Sequence, residues 1–399
     1  MKSDFKKLVS ARLLFSVAVQ MQAVIMGWEI YSIHQDPLYL GLMGLVEAVP
    51  SIGLALFAGY FVDRSNPIRV YQGVLALSLL SVVMLISSSS LGLTPHQRST
   101  ALYVAAFLTG LARGFASPAV YSLTPQIVPR EALAVSSAWM TSAFHVAAMF
   151  GPAIGGLLYG WMGVRSTFVL QACILVVALV IFSTLTHRPT VQKRTAGEPF
   201  FENLLSGMKF VFGHELLLSA LALDMFAVLF GGATALLPIF ASEILQVGPE
   251  GLGLLRAAPA VGALFMGIAL IRRPLREKAG KILLFCVAGF GLCMIGFGLS
   301  KWFWVSVFCL FCSGALDCVS MVIRGTIVAL YSPAEMRGRI ASVNSIFIGS
   351  SNELGALESG LAAKLLGTVP SVVVGGCITL MVVFSTAKLA PRLRKLSLS

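Results

Sequence analysis

Apolar runs of roughly twenty residues or more, cut by short polar turns, follow one another along the whole chain, and nothing else in it constrains the fold as much. Each such run is long enough to cross hydrocarbon as a helix, where every peptide group must bond within its own segment. Reading the runs between turn residues predicts twelve spans: 9–34, 38–62, 69–90, 100–123, 131–160, 163–186, 215–244, 250–271, 280–300, 302–331, 336–366 and 368–388. The runs at 131–160 and 336–366 are long and glycine-rich, so they should tilt or extend past the lipid. Only 12% of the residues are charged, against about a quarter in a soluble domain, and mean hydropathy is +0.88. Twelve spans in 399 residues leave no long soluble segment for a catalytic domain.

The 29 Lys and Arg residues sort by side of the membrane. The even-numbered connections and both termini hold 22 of them, while the odd-numbered connections hold Arg98, Arg165, Lys301 and Lys364. Arg113, Arg256 and Arg324 lie deep within spans. An error of one span would scramble this alternation, so it supports both the number of spans and their direction. The positive-inside rule then puts both termini in the cytoplasm. The net charge of +12 reads as a topology signal with attraction to anionic lipid, and no nucleic-acid partner is expected. The first apolar run is too long for a signal peptide and reads as a retained helix.

The seven cysteines all fall inside apolar runs, which argues against a disulfide framework. Cys309 and Cys312 form a C-x-x-C within WVSVFCLFCSG, where small packing residues are expected and no metal or cofactor is implied. The longest stretch outside a span, His187 to His214, divides six spans from six. Its second part, FFENLLSGMKFVFGH, puts Phe201, Leu204, Leu205 and Met208 on one helical face, as expected of an amphipathic helix on the cytoplasmic leaflet. The expected organisation is therefore a six-helix bundle at 1–187, a cytoplasmic linker with an amphipathic helix at 188–214, and a second six-helix bundle at 215–399.

The two halves repeat. At a constant offset of 204, Gly110, Pro129, Glu131, Gly151, Gly156 and Gly163 fall on Gly314, Pro333, Glu335, Gly355, Gly360 and Gly367. A second echo pairs LGLMG…PSIG in the second span with LGLLR…PAVG in the eighth, at offsets of 212 and then 209. Paired bundles of this kind are characteristic of secondary transporters, which handle substrate between the halves near the midplane. No phosphate loop, H-E-x-x-H, Gly-x-Ser-x-Gly elbow or zinc spacing occurs in the sequence, so ATP-driven transport and intramembrane hydrolysis lose their parts and no enzyme is expected.

Six carboxylates lie within spans: Glu29, Glu47, Asp224, Asp317, Glu353 and Glu358, alongside the three arginines and His145. An ionised group at a helix centre costs about 2.5–3.5 kcal/mol, so these residues should face a wet cavity or one another. Pairing that merely locks helices together is the plain alternative. Asp317 and Arg324 stand seven residues apart, two turns along one face. Arg113 is the counterpart of Asp317 at the 204 offset, so the two halves would offer opposite charges.

The stretch GYFVDRSNPIRV, Gly59 to Val70, places a charge pair between two greasy spans and resembles the loop 2–3 signature of the major facilitator superfamily. Gly59, Asp63, Arg64 and Arg69 match that signature; Asn66 takes its glycine place and Pro67 an often basic one. Asn tolerates a left-handed turn, so a mild change of shape is expected. The resemblance implies that Asp63, Arg64 and Arg113 act as a conformational latch, with Asp63 meeting a helix N-terminus. The segment GPAIGG (Gly151, Pro152, Gly155 and Gly156 among its residues) is similar to the antiporter signature of drug exporters. The flanking sequences GWEIYSIHQDPLYLGLMGLVEAVPSIGLALFAGYFVDR and FASPAVYSLTPQIVPREALAVSSAWM resemble the drug:proton antiporter-3 branch, which includes macrolide and siderophore exporters.

Together these resemblances imply an all-α membrane protein of twelve transmembrane helices in two pseudo-symmetric bundles, at work as a monomer in the bacterial cytoplasmic membrane. They imply proton-coupled export of a small amphipathic or hydrophobic compound, with Trp28, Glu29, Tyr31 and Glu47 as candidates for the cavity wall. The ionisable residues within spans add His145, Asp317, Arg324 and Glu353 as cavity or coupling candidates, with no family pattern behind His145 or Glu353. An importer or lysophospholipid flippase on the same fold, and a non-transporting membrane sensor, remain as rivals. A cavity open sideways to lipid would favour the flippase, and partner binding without flux would favour the sensor.

Overall fold

A computed structural model of the chain describes residues 3–90, 92–129, 132–186, 200–272, 278–333 and 336–397. Its helices are α1 (Ser3–His34), α2 (Pro37–Arg64), α3 (Pro67–Ser90), α4 (Pro95–Ile127), α5 (Leu133–Ser183), α6 (Phe200–Gly213), α7 (Glu215–Gly231), α8 (Gly248–Arg272), α9 (Ala279–Leu299), α10 (Phe303–Tyr331), α11 (Arg337–Leu366) and α12 (Thr368–Leu389). Among the described residues, nine segments are long and apolar enough to cross a membrane. The architecture is the twelve-span, all-helical one that the sequence predicts.

Cap chemistry starts the early helices. Asp36 accepts from the Leu38 amide at 2.9 Å ahead of Pro37, and Thr94 forms a capping box with Gln97 ahead of Pro95. Asn66 does the same for α3, accepting from the Ile68 amide at 3.0 Å ahead of Pro67. A cap residue followed by proline stops one helix and pre-sets the next, because proline at the first position loses no hydrogen bond. Asn66 is therefore not in the left-handed turn expected of it; positive φ among the described non-glycine residues is confined to Gln35, Gln246 and Lys278.

Two compact units form: Met1–Thr195 with Ala241–Ala257, and Ala196–Phe240 with Ala258–Ser399. In the first, α1 packs along α5, α2 along α4, and α3 against α4 and α5. In the second, α7 packs against α11 and α12, and α9 against α10 and α12. The repeat seen in the sequence dictates these matching pairs. A Cβ at Gly110 on α4 would strike the Glu47 carbonyl and Pro50 of α2, and one at Gly314 on α10 would strike the Pro259 backbone of α8. Gly151 lies against Val17 and Gln20 of α1, and Gly355 against Val228 and Leu229 of α7. Only a residue without a side chain lets the helix axes come so close.

The punctuation repeats as well. The Ala132 amide bonds the Pro129 carbonyl at 3.0 Å, and the Met336 amide bonds the Pro333 carbonyl at 2.9 Å. Gly163, at φ 75°, breaks α5 into the fifth and sixth spans, and Gly367, at φ 91°, separates α11 from α12. An L side chain rarely adopts such a φ, so both positions require glycine.

Helix α6 packs onto the second unit. Gly207 lies against Arg339, and Val211 is buried with Met208 beside it, while Leu205 and Phe212 stay exposed. Of the four residues that helical spacing puts on one face, Leu205 is exposed and Met208 is packed, and the side chains of Phe201 and Leu204 lie outside those described. All seven cysteines are free.

Candidate functional site

The second unit holds an ionic cluster of three side chains. Arg324 on α10 forms an ion pair with Asp224 on α7, and both residues are buried at 7% exposure. Asp317, two turns back on α10, stands 3.6 Å from the same guanidinium, with its side chain 41% exposed. The Arg324 Nε also donates to the Ser320 carbonyl at 3.3 Å and to the Ser320 hydroxyl at 3.2 Å. These bonds within one helical turn hold the arginine over its own helix, with its terminal nitrogens directed to the two carboxylates. A small cleft with room for about one water molecule lies beside them, lined by Asp224, Ala227, Cys286, Phe290, Asp317 and Ser320. The sequence places Asp317 and Arg324 on one face; Asp224, within a span but without an assigned partner, closes the triad.

The first unit carries its charges differently. The Gly110 crossing brings α4 against α2 at Glu47, and Arg113, one turn further on, forms an ion pair with Glu47. Glu47 also acts electrostatically on Arg256 of α8. The Tyr159 hydroxyl donates to Glu29, with the Trp28 ring edge-on to Tyr159 at 6.5 Å. The Tyr31 hydroxyl donates to Glu243, which follows a short irregular stretch after α7. Neither Glu243, which stands at the end of a predicted span, nor Tyr159 is among the candidates named from the sequence. His145 is half-buried beside Phe144 and makes no ion pair among the described residues.

Sequence reasoning also missed a buried polar knot. Gln22 of α1 donates to Ser81 at 3.1 Å and to Thr109 at 2.9 Å, and Gln171 donates to Gln22 at 2.9 Å. All four are nearly inaccessible, and they tie α1, α3, α4 and α5 together. Two uncharged glutamines inside predicted spans were the available signal.

The GPAIGG segment is two-sided. Gly151 and Gly155 lie against α1, and a Cβ at Gly156 would sit 2.7 Å from the Gly253 Cα of α8, next to the Pro152 carbonyl that meets Gly253. Around the loop 2–3 signature, Arg64 and Arg69 are exposed. The side chains of Asp63 and Glu353 lie outside those described. Arg113, grouped with the latch on the resemblance, is exposed and pairs with Glu47 of α2. Among the described residues no group of His, Cys, Asp and Glu is arranged to hold a metal ion.

The model of the Major Facilitator Superfamily matches residues 8–356. The chain belongs to this superfamily. Among curated relatives, the enterobactin exporter EntS of Escherichia coli O1:K1 / APEC is 24% identical over 371 residues, covering 90% of this chain and 86% of the relative. The EntS of Shigella boydii serotype 18 gives the same values. Among solved structures, the bacterial homologue of the human lysosomal transporter Spinster superposes with a TM-score of 0.77 at 14% identity, covering 100% of both chains. The D-xylose–proton symporter superposes with a TM-score of 0.75 at 12% identity, covering 99% of this chain and 100% of the other. As a major facilitator protein, the chain is a multi-pass membrane transporter and not an enzyme.

Proposed function

We propose that this transporter exports a small amphipathic or hydrophobic compound in exchange for protons, by alternating access. In this reading it works in the bacterial cytoplasmic membrane with both termini inside. The observation that carries the proposal is the cluster of Asp224, Asp317 and Arg324, two carboxylates around one guanidinium. The arginine cannot deprotonate, so the cluster carries one negative charge in excess, and a proton on either carboxylate cancels it. Binding and releasing that proton changes how strongly α7 and α10 attract one another through Arg324. A proton is thereby converted into a bias between conformations.

Export as the direction is supported by the likeness to relatives described as enterobactin exporters and by the similarity of GPAIGG to the antiporter signature of drug exporters. Trp28, Glu29, Tyr31 and Glu47 are assigned to the cavity wall in this reading, and Gly59, Asp63, Arg64, Arg69 and Arg113 to the latch.

The test begins with deletion of the gene and comparison of drug susceptibility and secreted metabolites. The strongest hit is then followed in vesicles containing the purified chain under an imposed pH gradient. Asp317→Asn should abolish accumulation driven by the gradient while leaving downhill exchange of the same compound. Gradient-driven accumulation at the natural rate in Asp317→Asn would remove proton coupling through this cluster.

A further inference from the structure

Arg256 is a charged residue inside a span with no ion-pair partner among the described residues. It lies three positions before Pro259 in α8, as Glu47 lies three positions before Pro50 in α2. Gly314 packs on the Pro259 backbone and Gly110 on Pro50 and the Glu47 carbonyl, so corresponding helices cross near corresponding prolines, where the neighbouring charges are opposite. Arg256 belongs to the segment Ala241–Ala257, which clusters with the first unit, and there it feels Glu47. Glu47, however, is already ion-paired with Arg113. Arg256 is half-buried and makes no hydrogen bond or ion pair among the described residues.

A guanidinium stays protonated, so inside a span it can be neutralised only by an anion. The residual field of a shared carboxylate does that only in part. The five N–H donors of Arg match a carboxylate with two parallel bonds, which makes an oxyanion the fitting partner.

We infer that Arg256 anchors an acidic group on the transported compound, so that the substrate class is an amphipathic acid carrying a carboxylate or similar oxyanion. This rests on the reading that the protein moves a small amphipathic compound. A neutral analogue of the same shape would leave Arg256 uncompensated, and the transporter would discriminate against it. Arg113 and Glu47 then set how strongly Arg256 draws the anion, because Glu47 competes for it.

The test uses the full chain in neutral detergent and two probes, pyrenebutyrate and the uncharged pyrenebutanol. Binding is read by energy transfer from tryptophan. The acid should bind about tenfold or more tightly than the alcohol, the fold-change of one charge-assisted hydrogen bond. Arg256→Gln should erase that preference, Arg256→Lys should keep part of it, and Glu47→Gln should strengthen it. Equal affinity for both probes in the natural chain, or an acid preference that survives Arg256→Gln, overturns the inference. Should Arg256→Gln fail to fold, an unchanged acid affinity in Glu47→Gln does so instead. Displacement of pyrenebutyrate by an equal concentration of phosphatidylglycerol would give the site to lipid and likewise overturn a soluble acid. These are binding measurements, so a chain that binds the acid selectively but fails to move it in vesicles sinks the export reading and leaves this one standing.

Discussion

Arg324 and Asp224 come from helices far apart in sequence and close on each other in the apolar interior of the second unit, each at 7% exposure. Desolvation at such a site makes the pair far more sensitive to losing one partner than to losing both.

Arg324→Met should therefore destabilise the protein by about 3–5 kcal/mol, since it strands a buried carboxylate. The double replacement Asp224→Leu with Arg324→Met should recover most of that loss. Asp317→Asn should cost much less, because Asp317 is 41% exposed and stands 3.6 Å from the guanidinium. Thermal unfolding of the purified variants checks the order; a double variant no more stable than Arg324→Met would contradict it.

Two glycines of α10 should respond oppositely to the same change. A Cβ at Gly314 strikes the Pro259 backbone, whereas one at Gly325 meets nothing within 4 Å. Gly314→Ala should cost about 1–3 kcal/mol through overpacking, while Gly325→Ala should be neutral or stabilising by up to about 1 kcal/mol. Size-exclusion profiles and melting temperatures report both, and equal tolerance at the two positions would refute the close crossing.

The Tyr31–Glu243 hydrogen bond ties α1 to the segment that follows α7. Tyr31→Phe and Glu243→Gln should each weaken it, and the double variant should cost less than their sum, with a coupling of about 0.5–3 kcal/mol. Strict additivity in unfolding experiments would mean that the two side chains do not interact.

Asn66 takes a glycine place in the loop signature, and as an N-cap it can be tested directly. Asn66→Ala should cost about 1 kcal/mol and Asn66→Gly only a few tenths. A left-handed conformation would predict a different pattern, with Asn66→Gly clearly stabilising. The two substitutions compared by thermal unfolding decide between these accounts.

The architecture was legible before any coordinates, because its determinants are local. Each span is long and greasy enough to be read by itself, and Gly110 with Gly314, or Gly163 with Gly367, mark equivalent crossings and breaks at one offset. The Asp317–Arg324 relation was legible too, since both lie on one helix and the helical period places them. Asp224, Tyr159 and Glu243 are another matter. Their partners lie on other helices, and which side chain meets which depends on how each helix is rotated and how near its neighbour can come. Hydropathy carries no record of that rotation, because a lipid-facing and a protein-facing leucine look the same in sequence. The chain by itself thus determined the number of spans and their repetition; only packing in three dimensions decided which buried charges hold one another and which, like Arg256, have no ion-pair partner among the described residues.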